Sequence, residues 1–185
     1  MLETQTSFKK YTSRVSEVLL SVNFQEVEQI LSNLKSTILS DGTIYVIGNG
    51  GSASTASHFV NDLVIITKRR GVIINALSLV DNVSILTAIG NDESFDDIFR
   101  IQLVKKLTSR DLVFSISASG NSINLINAVN LANEIGACTI SLLGFNGGAL
   151  RKISKYSCLV PTKFGEYGPV EDSHLSICHY LAANL

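Results

Sequence analysis

Histidine and carboxylate pairs recur at helical spacing near the middle and the end of this 185-residue chain. His58 and Asp62 lie four residues apart and Glu171 and His179 eight apart, so each pair projects from roughly one helix face. The two pairs offer four nitrogen and oxygen donors, a set suited to zinc or a similar divalent ion. Alternatively, these residues have structural roles. Each histidine would then make a hydrogen bond, the carboxylates would be solvated, and Glu171 would complement a helix dipole. The third histidine, His174, is displaced from the Glu171 face, and we interpret it as a supporting or structural residue.

The segment VIGNGGSASTASHFVNDLV, residues 46–64, contains a glycine-rich loop that could hold a phosphate group. Gly48, Gly50 and Ala53 satisfy the loose dinucleotide pattern G-x-G-x-x-(G/A). The acidic residue that a dinucleotide fold carries about 20 residues after the loop is missing, because that interval holds KRRG, residues 68–71. The P-loop pattern is absent from the sequence as well. We therefore predict a phosphate cradle and no nucleotide.

A second loop of similar chemistry, SASGNSIN, follows the apolar run DLVFSI. Such a loop could be an ordinary polar turn, which serine, glycine and asparagine favour. Four hydroxyl or amide side chains lie within six residues of it, however: Ser117, Ser119, Asn121 and Ser122. Their density at the carboxyl end of a strand favours anion binding, and a hydroxyl-rich pocket suits a monophosphate.

The elements that must position these loops can be read from the hydrophobic pattern. Apolar residues at helical spacing between Phe8 and Val22, and between Val27 and Ile38, predict an antiparallel helical pair. Five β-branched runs then alternate with stretches of helical length: TIYVI, GVIINALSL, DLVFSI, ACTISLLG and YSCLVP. This alternation predicts an α/β fold with a parallel sheet, whose ligands bind beyond the carboxyl ends of the strands. The length predicts one domain.

Composition excludes several classes of partner. The formal net charge of −1 gives no basic footprint for nucleic acid. The three cysteines are far apart in apolar surroundings, which favours a reducing compartment over a disulfide framework. The first residues lack the order of a signal peptide and no segment has the length of a transmembrane span, so we expect a cytoplasmic protein without a membrane partner.

Four segments in order resemble the motifs of the phosphoheptose isomerases, the sedoheptulose-7-phosphate isomerase branch of the sugar-isomerase (SIS) domain proteins. These segments are GNGGSASTASHFVNDL, LTAIGNDESFDDIF, SISASGNSINLINAV and VEDSHLSICH. The resemblance implies a five-stranded parallel sheet flanked by helices in a three-layer sandwich. It also implies a homotetramer with active sites between subunits. In this reading residues 1–40 form a helical pair used in oligomer packing, and residues 41–185 form the α/β core of a single SIS domain.

The resemblance also implies the site residues. The phosphorylated sugar would contact three groups: Asn49, Gly50, Gly51 and Ser52; Asn91 and Asp92; and Ser117, Ala118, Ser119 and Ser122. The positions that bind zinc in the family carry His58, Asp62, Glu171 and His179, and two of them, Asp62 and Glu171, are also expected to contact the sugar. Three departures stand out: Asp62 replaces a glutamate, Glu171 replaces a glutamine, and Gly168 and Pro169 precede the last helix where the family has polar or charged residues.

The reaction implied is an aldose–ketose isomerisation of sedoheptulose 7-phosphate to D-glycero-D-manno-heptose 7-phosphate through a metal-assisted enediol, for lipopolysaccharide, capsule or another surface glycan. Moving a proton between C1 and C2 requires a base beside carbon and an acid near oxygen. Asp62 or Glu171 is the expected base, and His179 the residue that handles the oxygen proton. Two alternatives remain: an isomerase of a different phosphosugar, and a non-catalytic regulatory SIS tetramer of the kind that associates with a replication initiator.

Overall fold

A computed structural model describes residues 2–69 and 71–185, so Arg70 of the basic run lies outside the described residues. Five parallel strands form one sheet in the order β2-β1-β3-β4-β5. Their bounds are β1 Thr43–Gly48, β2 Asn75–Ser78, β3 Leu112–Ser117, β4 Cys138–Gly144 and β5 Tyr156–Val160. The predicted parallel sheet is therefore confirmed, with β2 reduced to the end of the run GVIINALSL.

Helices cover both faces of the sheet. Their bounds are α1 Leu2–Leu20, α2 Phe24–Leu39, α3 Gly51–Arg69, α4 Val83–Asp92, α5 Arg100–Leu103, α6 Ile123–Ile135, α7 Leu150–Ile153 and α8 Tyr167–Ala183, with a 3₁₀ turn at Phe95–Asp97. One apolar core joins α2, α3 and α8 to one face of the sheet, and a second joins α5, α6 and α7 to the other face. The central strands β1, β3 and β4 are almost wholly buried, which explains their near-continuous apolar sequences.

The two leading helices form as predicted, but each packs mainly against another element of the domain. Helix α1 packs against α8, and α2 packs against β5 at the edge of the sheet. Glu26 of α2 fixes that contact, because its carboxylate accepts a hydrogen bond from the Leu159 backbone N–H at 2.9 Å and pairs with Arg151 at 2.5 Å. Among the described residues, none of the helices combines the length and apolar character needed to cross a lipid bilayer.

Candidate active site

The strand order reverses between β1 and β3, which are neighbours in the sheet. The chain leaves β1 into α3 on one face of the sheet, and leaves β3 into α6 on the opposite face. Such a switch point opens a crevice beyond the carboxyl ends of the two strands, where open α/β sheets bind their ligands. Both predicted phosphate loops, residues 49–52 and 117–122, lie there.

A small cavity of about 120 Å³ fills this crevice, and we call it the serine cavity. The residues that line it are Asn49, Ser52, Ile116, Ser117, Ala118, Ser119, Ser122, Tyr167 and Glu171. Its volume is below the roughly 300–1,000 Å³ of pockets for drug-sized ligands, so within one chain it encloses only part of a phosphorylated sugar. Seven predicted substrate residues lie here, while Gly50 lines an adjoining cavity of about 360 Å³.

Three serine hydroxyls of this cavity remain free to donate to an anion. The hydroxyl oxygen of Ser117 accepts a hydrogen bond from the Gly120 backbone N–H at 3.0 Å, which leaves its proton unused. Ser119 accepts from the Asn121 backbone N–H at 3.3 Å in the same way. Ser122 is the N-cap residue of α6, but its side chain makes no capping hydrogen bond. The N-terminus of this 13-residue helix adds a favourable dipole for negative charge.

An amide pair that the sequence analysis missed joins the two loops. Asn49 donates to the side-chain oxygen of Asn124 at 2.9 Å, and Asn124 donates back to that of Asn49 at 3.0 Å. Asn124 is almost fully buried, so this reciprocal contact fixes the glycine loop relative to the start of α6. The only sequence signal was the final asparagine of SASGNSIN.

Glu171 points its carboxylate at the first residue of α3. A Cβ atom added to Gly51 would lie 2.6 Å from Glu171 Oε2, so the missing side chain makes room for this carboxylate. Gly50, just before it, has a φ of +55°, which glycine adopts without strain. No described residue donates a hydrogen bond to Glu171, and its carboxylate is therefore available to a ligand in the serine cavity.

Further along the same two helices, His58, Asp62 and His179 form a cluster whose donor atoms all lie within 4.8 Å of one another. His179 Nδ1 and Asp62 Oδ2 are 2.7 Å apart, and His58 Nε2 lies 3.6 Å from Asp62 Oδ1. The two imidazole rings meet edge to face at 4.9 Å. Asp62 is buried between two half-exposed histidines, so the cluster opens to the surface.

Glu171 lies outside this cluster, although it was predicted as a fourth ligand. Gly51 faces Glu171 and Asp62 faces His179, so α3 and α8 run in the same direction. Glu171 is eight residues before His179, which corresponds to about 12 Å along the axis of α8. The structure thus divides the predicted donor set into a three-residue cluster and a separate carboxylate on the serine cavity.

Two further polar groups of α8 are core residues. His174 is fully buried, and neither ring nitrogen has a well-formed hydrogen bond with a described residue. Burial lowers the pKa of His174 to about 4, which the Leu143 backbone offsets only in part. Burial likewise raises the pKa of the Cys178 thiol, with the Asp62 charge adding to the effect. The imidazole of His174 and the thiol of Cys178 are therefore neutral core groups, and the burial of His174 agrees with a structural role.

Asn91 and Asp92, the remaining predicted substrate residues, line neither cavity at the switch point. They end helix α4, are exposed, and contact each other through an Asn91 Nδ2 to Asp92 Oδ1 hydrogen bond of 2.8 Å. Helix α4 has no buried residue, despite apolar side chains such as Val83 and Ile85 that are 68% and 38% exposed. Within one chain, these two residues are therefore separate from the serine cavity.

The fold and the switch-point crevice define a class of protein. A family model described as the SIS domain matches residues 7–144, about three quarters of the chain, and the protein belongs to this family. Within it, the chain belongs to the phosphoheptose isomerases, a family of isomerase enzymes. It is 33% identical over 181 residues to the phosphoheptose isomerase of Syntrophotalea carbinolica, covering 95% of this chain and 90% of that protein.

Other relatives agree with this assignment. The phosphoheptose isomerase of Geobacter metallireducens is 41% identical over 138 residues, covering 74% of this chain and 71% of that protein. The solved phosphoheptose isomerase of Neisseria gonorrhoeae superposes with a TM-score of 0.87 at 29% identity, covering 98% of this chain and 97% of that one. The predicted resemblance and fold class are confirmed.

Proposed function

We propose that the protein converts sedoheptulose 7-phosphate to D-glycero-D-manno-heptose 7-phosphate by aldose–ketose isomerisation. The observation that carries the proposal is one cavity at the switch point, lined by three serines and by the Glu171 carboxylate, to which no described residue donates a hydrogen bond. An anion site beside an available base is the minimum that isomerisation of a phosphorylated sugar requires. The relatives from Syntrophotalea carbinolica and Geobacter metallireducens are named phosphoheptose isomerases, which supports a heptose phosphate as the substrate.

The serine loop holds the phosphate end of the substrate in this proposal. Ser117, Ser119 and Ser122 donate their hydroxyl protons to phosphate oxygens, and the N-terminus of α6 favours the negative charge. Asn49 fixes the glycine loop on the opposite wall through its amide pair with Asn124. Substrate binding therefore depends mainly on loop groups that take no part in proton transfer.

We assign the carbon base to Glu171. Both oxygens of Asp62 face histidines, at 2.7 Å and 3.6 Å, whereas Glu171 has no such partner among the described residues and lines the cavity. Glu171 would take the proton from C1 of the open-chain ketose to form the enediol and return a proton to C2. His179 would move the second proton from O1 to O2, and Asp62 would orient its ring through Nδ1.

The cluster of His58, Asp62 and His179 fits a zinc ion in its donor chemistry. Two imidazole nitrogens and one carboxylate oxygen within 4.8 Å form the ligand set of catalytic zinc sites, which keep a further position open. When bound, such an ion supplies Lewis-acid polarisation of the substrate carbonyl. Because Asp62 contacts Nδ1 of His179, the Nε2 atom of that ring would serve either the ion or the oxygen proton, and not both at once.

A homotetramer in the cytoplasm completes the proposal. Helix α4 exposes apolar side chains and buries none, which is expected of a helix that a second subunit covers. Asn91 and Asp92 at its end would then contact the sugar in a neighbouring subunit's site, since they are separate from the cavity of their own chain. The three cysteines are unpaired, as suits a reducing compartment.

The test is turnover of sedoheptulose 7-phosphate with product analysis, on protein as purified, after chelation, and after zinc is restored. We expect turnover that falls with chelation and returns with zinc. Asp62→Asn and Glu171→Gln, made separately, test the residue roles: Glu171→Gln should abolish turnover while phosphosugar binding persists. If wild-type protein binds the phosphosugar under all conditions and never turns it over, the proposal is wrong, and a regulatory SIS tetramer or another substrate takes its place.

A further inference from the structure

Two polar contacts tie the leading helix to the start and the second turn of α8, outside the residues assigned to catalysis. The Arg14 guanidinium donates two hydrogen bonds to the Glu166 carboxylate, Nε to Oε1 at 3.1 Å and Nη2 to Oε2 at 2.8 Å. The Tyr11 hydroxyl donates to Asp172 Oδ2 at 2.5 Å. Arg14 lowers the pKa of Glu166 to about 2, and the hydrogen bond to Asp172 raises the pKa of Tyr11 to about 12.

These contacts flank the wall of the serine cavity. Glu166 immediately precedes Tyr167, and Asp172 immediately follows Glu171; Tyr167 and Glu171 are the two α8 residues that line the cavity. Glu166 also accepts a hydrogen bond from the Lys163 backbone N–H at 2.8 Å, which closes the loop that enters α8. The anchors from α1 thus lie one residue outside each wall residue.

The first turn of α8 needs such anchors. Its N-cap residue, Glu166, makes no side-chain capping hydrogen bond, so the turn lacks the usual local stabilisation of a helix start. Gly168 allows the tyrosine ring to approach, because a Cβ atom there would lie 2.9 Å from the Tyr11 hydroxyl oxygen. A planar guanidinium that binds a carboxylate with two hydrogen bonds fixes direction as well as distance.

We propose that Arg14 and Tyr11 are positioning residues of the active site, which hold Tyr167 and Glu171 against the serine cavity. The inference rests on the proposed function, because it gives Glu171 the role of base. Loosening the first two turns of α8, residues 167–172, moves the base and leaves the serine loop in place. The consequence is a loss in kcat with little change in KM, since a misplacement of about 1 Å can cost up to roughly a hundredfold in rate.

A second carboxylate that pairs with Arg14 offers a matched control. Arg14 Nη1 lies 3.0 Å from Oε2 of Glu17, three residues further along the same helix. Arg14→Gln and Tyr11→Phe remove the links to α8, whereas Glu17→Gln removes a carboxylate from the same guanidinium and leaves the link intact. Steady-state kinetics on folded protein should show kcat reduced about tenfold or more in the first two variants, with KM within about twofold, and wild-type values in Glu17→Gln.

A kinetic cycle and hydrogen–deuterium exchange complete the test. Arg14→Gln combined with Glu166→Gln should be no slower than the slower single variant, because both break one contact. Exchange across residues 161–172 should rise in Arg14→Gln and Tyr11→Phe and stay at the wild-type level in Glu17→Gln. Unchanged kcat in Arg14→Gln and Tyr11→Phe, or equal losses in Glu17→Gln, overturn the inference.

Failure of the proposed function is recognised separately. Wild-type protein without turnover refutes the isomerase and leaves the exchange measurement as the decisive one. Faster exchange confined to the two α8-link variants then upholds the anchoring of the cavity wall, and unchanged exchange refutes it.

Discussion

Replacing Gly51 by alanine should lower the turnover rate of the enzyme without lowering the stability of its fold. The new Cβ would lie 2.6 Å from Glu171 Oε2 and 2.8 Å from its Cδ. Ordinary van der Waals contact begins near 3.4 Å, so the carboxylate must retreat by about 0.8 Å. The clash involves the far end of a flexible side chain, and it is relieved by moving that side chain.

The expected result follows from the role of Glu171. A displacement of this size should lower kcat about 10- to 100-fold and leave KM nearly unchanged. Stability should be unchanged or higher, by up to about 1 kcal/mol, because alanine favours a helix more than glycine does. Initial rates with sedoheptulose 7-phosphate and urea denaturation measure the two effects.

A double variant decides whether the effect passes through the carboxylate. If Gly51→Ala acts only by displacing Glu171, then Gly51→Ala combined with Glu171→Gln should be as slow as Glu171→Gln alone. Losses that multiply in the double variant would refute the reasoning, as would wild-type kcat in Gly51→Ala.

Three further predictions concern the loops and the core. Ser119→Ala should raise KM about 10- to 100-fold with kcat nearly unchanged, because it removes one hydrogen bond to a charged phosphate; a loss confined to kcat would contradict the assigned role. His174 has a folded-state pKa of about 4 against about 6.5 in the unfolded chain, so the unfolded state binds more protons between these values and stability falls as the pH drops through that range. Urea denaturation should show about 2 kcal/mol lost by this group between pH 7 and pH 5, a component absent from His174→Leu; an equal pH dependence in both proteins would disprove it. Asn124→Ala should cost about 1–3 kcal/mol in urea denaturation by leaving the Asn49 amide unpaired, whereas Asn127→Ala, which breaks an exposed amide contact, should cost less.

Much of the fold could be predicted because its signals are local. The alternation of buried β-branched runs with helical stretches requires only residues near in sequence, and it correctly gave five parallel strands. The prediction was least accurate for β2, because only four residues of the run GVIINALSL form this edge strand. The two phosphate loops could be located because the carboxyl ends of parallel strands lie at one edge of the sheet.

The site was only partly predictable, because its contacts join distant parts of the chain. Asp62 and His179 are 117 residues apart, and their 2.7 Å contact depends on how α3 and α8 pack. Helical spacing placed Glu171 and His179 on one face but could not show that the Glu171 carboxylate lies outside the cluster that contains His179. Arg14 and Glu166, 152 residues apart, carried no sequence signal at all.

The sequence by itself determined the elements, their order and the chemical character of each loop, because dihedral preferences and hydrophobic periodicity act over a few residues. Tertiary structure alone decided which side chains meet. The parallel packing of α3 on α8 groups His58, Asp62 and His179 and leaves the Glu171 carboxylate against Gly51. Such contacts depend on helix direction and axial offset, which the packing of the whole core sets and no short stretch of sequence encodes.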